Sequence, residues 1–190
     1  MQATNHNRGT NPAMPAPWST IILLIFFGAM TNAADAQLSG VKMIGKNAKN
    51  SRIGFGGYWD WSFPVNELET SSVVLELLDF GYFPQKNTDI DGVIGYISVK
   101  AGYRHVFSEE SKTGFYLQPS AGYGSVVTSN DDKALPGLAL AIEGGYSIEV
   151  GQNSNDLLIG LKFESDLAKT SASSIALRFA YNFHLGRKRE

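Results

Sequence analysis

The sequence predicts an all-β chain, an antiparallel up-and-down barrel of eight strands that crosses a membrane. Three observations lead there. Apolar and polar side chains alternate with period two in long segments after about residue 50. The segments run to ten residues or more, where soluble strands average about five or six. Turn-forming residues separate them, and tilted strands of about ten residues match the thickness of a bilayer.

The elements follow in chain order. Ile21 to Phe27, extended by Gly28 to Met30, is a short apolar run followed by Ala34-Asp35-Ala36, an A-x-A-like cleavage signal. A spanning helix needs about twenty apolar residues, so residues 1–36 are expected to be a secretory signal peptide rather than an uncleaved anchor. Met14 is an alternative start, which would make the signal 14–36. Residues 37–190 are then the barrel. Gln37 to Gly45 is a weakly patterned first strand. Arg52 to Trp61 is the second, with Ile53, Phe55, Trp59 and Trp61 opposite Arg52, Tyr58 and Asp60. Ser72 to Phe83 is the third, although Val73 to Leu78 also reads as a helical turn or two.

Val93 to Phe107 is the fourth strand, setting Val93, Ile97, Val99, Ala101 and Tyr103 against Ser98, Lys100 and Arg104. Gly114 to Thr128 is the fifth, with Phe115, Leu117, Ala121, Tyr123 and Val127 against Gln118 and Ser120. The sixth sets Leu138, Leu140, Ile142, Tyr146, Ile148 and Val150 against Ala139, Ala141, Glu143, Ser147 and Glu149. In the seventh, Leu157, Ile159, Leu161 and Phe163 oppose Asp156, Lys162 and Glu164. The eighth shows the pattern most clearly: Ile175, Leu177, Phe179, Tyr181, Phe183 and Leu185 on one parity, Ser174, Ala176, Arg178, Ala180, Asn182 and His184 on the other. An even number keeps both ends on one side of the membrane. With a periplasmic amino terminus, Ser62 to Ser71, Ser108 to Thr113 and Gly151 to Asn155 are the inner turns. Lys46 to Ser51, Pro84 to Gly92, Ser129 to Gly137 and Asp166 to Ala172 are the outer loops.

About 154 residues remain after cleavage, enough for one domain. Charged residues are 18% of the chain and the formal net charge is -2, against a usual charged share of about 25%. No clustered basic excess suggests nucleic acid. The chain has no cysteine, which excludes disulfides, thiolate metal sites and a lipid-modified cysteine.

Signal peptide, strand pattern, the Gly-aromatic pairs Gly102-Tyr103, Gly122-Tyr123 and Gly145-Tyr146, and the aromatic last strand together resemble the small, eight-stranded outer-membrane β-barrel proteins of Gram-negative bacteria. The resemblance covers the signal peptide and most of Arg52 to Leu185. It implies a monomer among outer-membrane lipids, delivered by the barrel assembly machinery, which reads an outward aromatic in the last strand. Phe179, Tyr181 and Phe183 look like that signal, although seven residues follow Phe183.

A soluble ligand-binding barrel alternates equally well but inside out. Strand length, low total charge and mixed signs on the polar face favour the membrane form, because a small membrane barrel fills its lumen with side chains and buried charges require partners. Glu76, Lys100, Arg104, Glu143, Glu149, Lys162, Glu164 and Arg178 are the expected lumen network, four of each sign. Trp59, Trp61, Tyr103, Phe115, Tyr123, Tyr181 and Phe183, with Phe83 and Phe107, are the expected interface aromatics. On this reading Gly160 faces the interior, and Gly160→Ser is expected to disrupt assembly much less than Ile142→Arg or Leu161→Arg.

No cofactor or metal site is expected. His105 and His184 are the histidines beyond the leader, and His105 lies one residue too far from Ser108 to share a face with it. The expected role is structural, adhesive or in envelope integrity. A lipid A- or phospholipid-modifying barrel enzyme, such as a lipid A deacylase, and a narrow, porin-like pore are the alternatives.

Overall fold

The computed structural model describes residues 36–87, 92–109, 111–129, 134–150, 155–168 and 172–182. Eight strands form a single sheet: β1 (Ala36–Ile44), β2 (Ile53–Pro64), β3 (Ser71–Tyr82), β4 (Val93–Phe107), β5 (Gly114–Thr128), β6 (Leu135–Val150), β7 (Asn155–Ala168) and β8 (Ala172–Asn182). Each pairs antiparallel with the next. β8 returns to pair with β1 from Ala36↔Tyr181 to Ile44↔Ser173, which closes the barrel. Closure leaves no edge strand, so the backbone hydrogen bonds are satisfied within the ring.

The strands are longer than alternation alone marks. β2 runs on to Pro64 because Ser62 and Phe63 pair with Val74 and Val73. β6 starts at Leu135 despite Pro136, and β7 continues to Ala168, so Asp166 belongs to a strand and not to a loop. Val73 to Leu78 is strand throughout, with no helical turn. Between β1 and β2 the chain forms a 3-10 helix, Gly45–Asn50, where a loop was expected. Gly45 opens it at φ 76°, a left-handed conformation that glycine adopts without steric cost. The eighth strand's continuation to Phe183, His184 and Leu185 lies outside the described residues, as does the leader.

Two irregularities reset the alternation. In β3, Glu76 pairs with Lys100 and Asp79 with Ser98, so Leu77 and Leu78 together face Val99. That is a β-bulge, in which one extra residue shifts every later side chain to the other face. Asp79 and Phe83 therefore point inward, and Phe83 is wholly buried instead of joining the outer aromatics. In β4 a register shift between Val93 and Gly95 turns Val93 inward, where regular alternation puts it outside.

Inside, the barrel is layered. The end carrying the β1–β2, β3–β4, β5–β6 and β7–β8 connections, here the loop end, holds an apolar cluster of Val41, Met43, Phe83, Val93, Tyr96, Val126, Ala172 and Ala176. The opposite, turn end holds Tyr58, Val106, Tyr116, Leu158 and Ala180. Between them lie the charges. Outside, each strand turns aliphatic and aromatic side chains outward, among them Phe55, Val99, Leu117, Ile142, Leu161 and Leu177, all exposed.

Candidate functional site

The enclosed charges form two joined clusters. At the centre, Lys100 Nζ on β4 lies 2.8 Å from Asp79, 2.9 Å from Glu164 and 3.3 Å from Glu76. It also donates to Ser98 Oγ at 2.7 Å. Lys162 on β7 pairs with Glu164 at 2.6 Å, with Glu76 at 3.2 Å and with Asp79. β3 and β7 lie on opposite walls of an eight-stranded ring, so the pairs from Glu76 and Asp79 to Lys162 reach across the whole lumen. At that level side chains from opposite walls meet.

The second cluster lies toward the turn end. Arg104 Nη2 pairs with Asp60 at 3.1 Å and its Nε donates to Gln118 Oε1 at 2.6 Å. Gln37 Nε2 donates to the other Asp60 oxygen at 2.6 Å. Arg178 pairs with Glu143, which also accepts from the Tyr116 hydroxyl at 2.5 Å, and its guanidinium lies 3.0 Å from the centre of the Tyr58 ring. Gln118 joins the two groups, because its Nε2 donates to Glu76 at 3.0 Å. Removed from water, these charges are tolerated through their mutual pairing, and several partners per charge offset the loss of hydration.

Of the residues expected in the lumen, Glu76, Lys100, Arg104, Glu143, Lys162, Glu164 and Arg178 are buried and meet here. Glu149 is half-buried near the turn end of β6, beyond both clusters, where its backbone N–H donates to Thr113 Oγ1 at 3.0 Å. The expected one-to-one balance is replaced by an acid excess. Asp60, Asp79, Asp156 and Asp166 are also buried inside the barrel strands. The bulge brings in Asp79, and the extra length of β7 brings in Asp166.

Outward, Trp61, Tyr103, Phe115 and Tyr123 are exposed, while Trp59 and Tyr181 are half-buried. Trp59 stacks edge-on against Trp61 at 5.8 Å. Phe107 is exposed as well, and Phe183 lies outside the described residues. His105 finds its serine across the sheet rather than along the chain: its Nδ1 lies 2.9 Å from Ser71 Oγ on β3, and its ring packs edge-on against Phe107 at 4.8 Å. At Gly160 the interior is already full. A Cβ there would meet the Tyr116 hydroxyl and a Glu143 carboxylate oxygen, so a serine has to displace one of these side-chain ends.

No family model matches the chain, and no curated protein matches it by sequence. Among solved structures, the crystal structure of Neisserial surface protein A (NspA) is similar, with a TM-score of 0.58 and 18% sequence identity over 77% of this chain and 92% of that one. At that identity the likeness establishes a shared fold, an eight-stranded closed antiparallel barrel.

Proposed function

We propose that the chain is an integral outer-membrane protein whose barrel is held in lipid by its outer face and plugged by the charge clusters inside. Its role is structural, adhesive or in envelope integrity rather than catalytic. One observation carries the reading: the polarity of the closed barrel is inverted relative to a water-soluble one. The strands expose aliphatic and aromatic side chains outward and enclose paired Lys, Arg, Asp and Glu. Lipid accepts such a surface, whereas water would penalise it at about 25 cal/mol per Å² of exposed apolar area. The likeness to a protein titled a surface protein supports the same placement. The cross-lumen pairs between β3 and β7 favour a plugged barrel over a conducting one.

The remaining parts of the proposal rest on sequence. Residues 1–36 direct export and are removed, the assembly machinery recognises the aromatic last strand, and the barrel functions as a monomer among outer-membrane lipids. Cell fractionation combined with gel migration tests the whole. The mature protein should start near Gln37, sediment with outer membranes and migrate faster unheated than boiled. Recovery in the soluble periplasmic fraction, or identical migration before and after boiling, would overturn the reading.

A further inference from the structure

The outer surface of the described strands is nearly free of charged side chains. Among the described residues of the eight strands, Lys42 is the one Lys, Arg, Asp or Glu side chain on the outward face, and it is exposed. It sits two residues from the loop end of β1, with Ile53 of β2 and Ile175 of β8 as its cross-strand neighbours. Two residues toward the turn end, Gly40 contributes no side chain, and a Cβ placed there meets nothing within 4 Å. Its neighbours are Phe55 on β2 and Leu177 on β8, both exposed. Lys42 therefore heads a shallow apolar notch one side chain wide.

On the loop side of that notch the chain turns basic. Residues 37–59 include Lys42, Lys46, Lys49 and Arg52 and no acidic residue, and all four of these cations are exposed. A fifth is fastened beside them. Lys86 Nζ donates to the Lys49 carbonyl at 3.1 Å, its backbone N–H donates to the Asn50 carbonyl at 2.8 Å, and Asn50 Nδ2 donates to the Asn87 carbonyl at 2.8 Å. These bonds hold residues 84–87 against the 3-10 helix and set Lys86 beside Lys49, while Arg52 adjoins Ile53, the cross-strand neighbour of Lys42.

Resting on the membrane reading above, we infer that Lys42 and Arg52, backed by Lys46, Lys49 and Lys86, bind the phosphate of a lipid in the loop-side leaflet while one acyl chain lies in the notch over Gly40. A lone ammonium on a lipid-facing strand is costly except near the interface, where its stem lies along apolar neighbours and its head meets water or an anion. A phosphomonoester supplies the anion at that depth. Clustered cations meet it with charge-assisted hydrogen bonds, and Arg does so bidentately. The apolar notch makes a lipid, rather than free phosphate, the ligand.

Native mass spectrometry of the refolded protein in micelles tests this, with dioleoyl phosphatidic acid, dioleoyl phosphatidylcholine and inorganic phosphate as probes. Phosphatidic acid should be retained about tenfold more strongly than phosphatidylcholine, which has the same chains, and equimolar inorganic phosphate should not displace it. The double variant Lys42→Gln/Arg52→Gln should lose that preference about tenfold while keeping its heat-shifted migration, and Lys42→Arg should keep the preference. Equal retention of both lipids, full competition by inorganic phosphate, or undiminished phosphatidic acid binding by the double variant would overturn this site and leave the barrel's placement intact. A protein that does not insert into lipid at all would overturn the membrane reading and the site with it.

Discussion

The central charge cluster predicts an unequal response to losing an acid and losing a base. Glu76, Asp79 and Glu164 share two ammonium groups, Lys100 and Lys162. Replacing Asp79 by Asn leaves two carboxylates for two ammoniums, and both lysines keep Glu76 and Glu164 as partners. The loss is then that of charged hydrogen bonds, about 1.5 to 3 kcal/mol. Replacing Lys162 by Met leaves three buried carboxylates around one lysine, with Arg178 reaching only Glu76, at 3.8 Å. Breaking a buried pair so that charge is left uncompensated costs about 3 to 5 kcal/mol. Lys162→Met should therefore destabilise the barrel more than Asp79→Asn, by about 1.5 to 2 kcal/mol between the two. The urea midpoint for folding into lipid vesicles reads the difference, provided the slope of the transition is unchanged. An Asp79→Asn variant that is as destabilised as Lys162→Met, or more so, would refute the account of the cluster as acid-rich.

Other outcomes follow from the same geometry. Ile142→Arg and Leu161→Arg place a cation on the lipid face and should cost roughly 2 to 4 kcal/mol near the midplane, far more than Ala141→Ser on the inner face of β6; folding yields in vesicles measure both. Gly160→Ser should overpack the lumen and displace Tyr116 from Glu143 at a cost of about 1 to 3 kcal/mol, visible as a lower urea midpoint. Gly45→Ala should cost about 1 to 2 kcal/mol because it imposes a left-handed conformation on a residue with a Cβ, and the same titration reads it.

Much of the barrel is legible in the chain because alternation survives wherever the ladder is regular. From Leu138 to Val150 every parity assignment matches the register with β5 and β7. The bulge at Leu77–Leu78 is the main exception. Alternation continued from Glu76 puts Leu78, Phe80 and Tyr82 inside, whereas the structure encloses Asp79, Gly81 and Phe83. An extra residue in a strand leaves no mark in composition, since Leu-Leu fits either face. Asp79, a further partner of both Lys100 and Lys162, was hidden by that one residue. The Ser71–His105 contact was hidden differently, because it depends on the β3–β4 register across 34 residues of chain. The lumen clusters share this property: each residue's face is local information, but which acid meets which base depends on strands on opposite walls.

The central claim is that the apolar parity faces lipid and the charged parity is enclosed. Because the chain has no cysteine, single cysteines at positions 138 to 142 of β6 can each carry a fluorophore in vesicle-reconstituted protein. Brominated lipids should quench labels at 138, 140 and 142 and spare those at 139 and 141, while aqueous iodide should reach neither set well. Uniform quenching along the strand, or iodide quenching of the apolar parity, would contradict it.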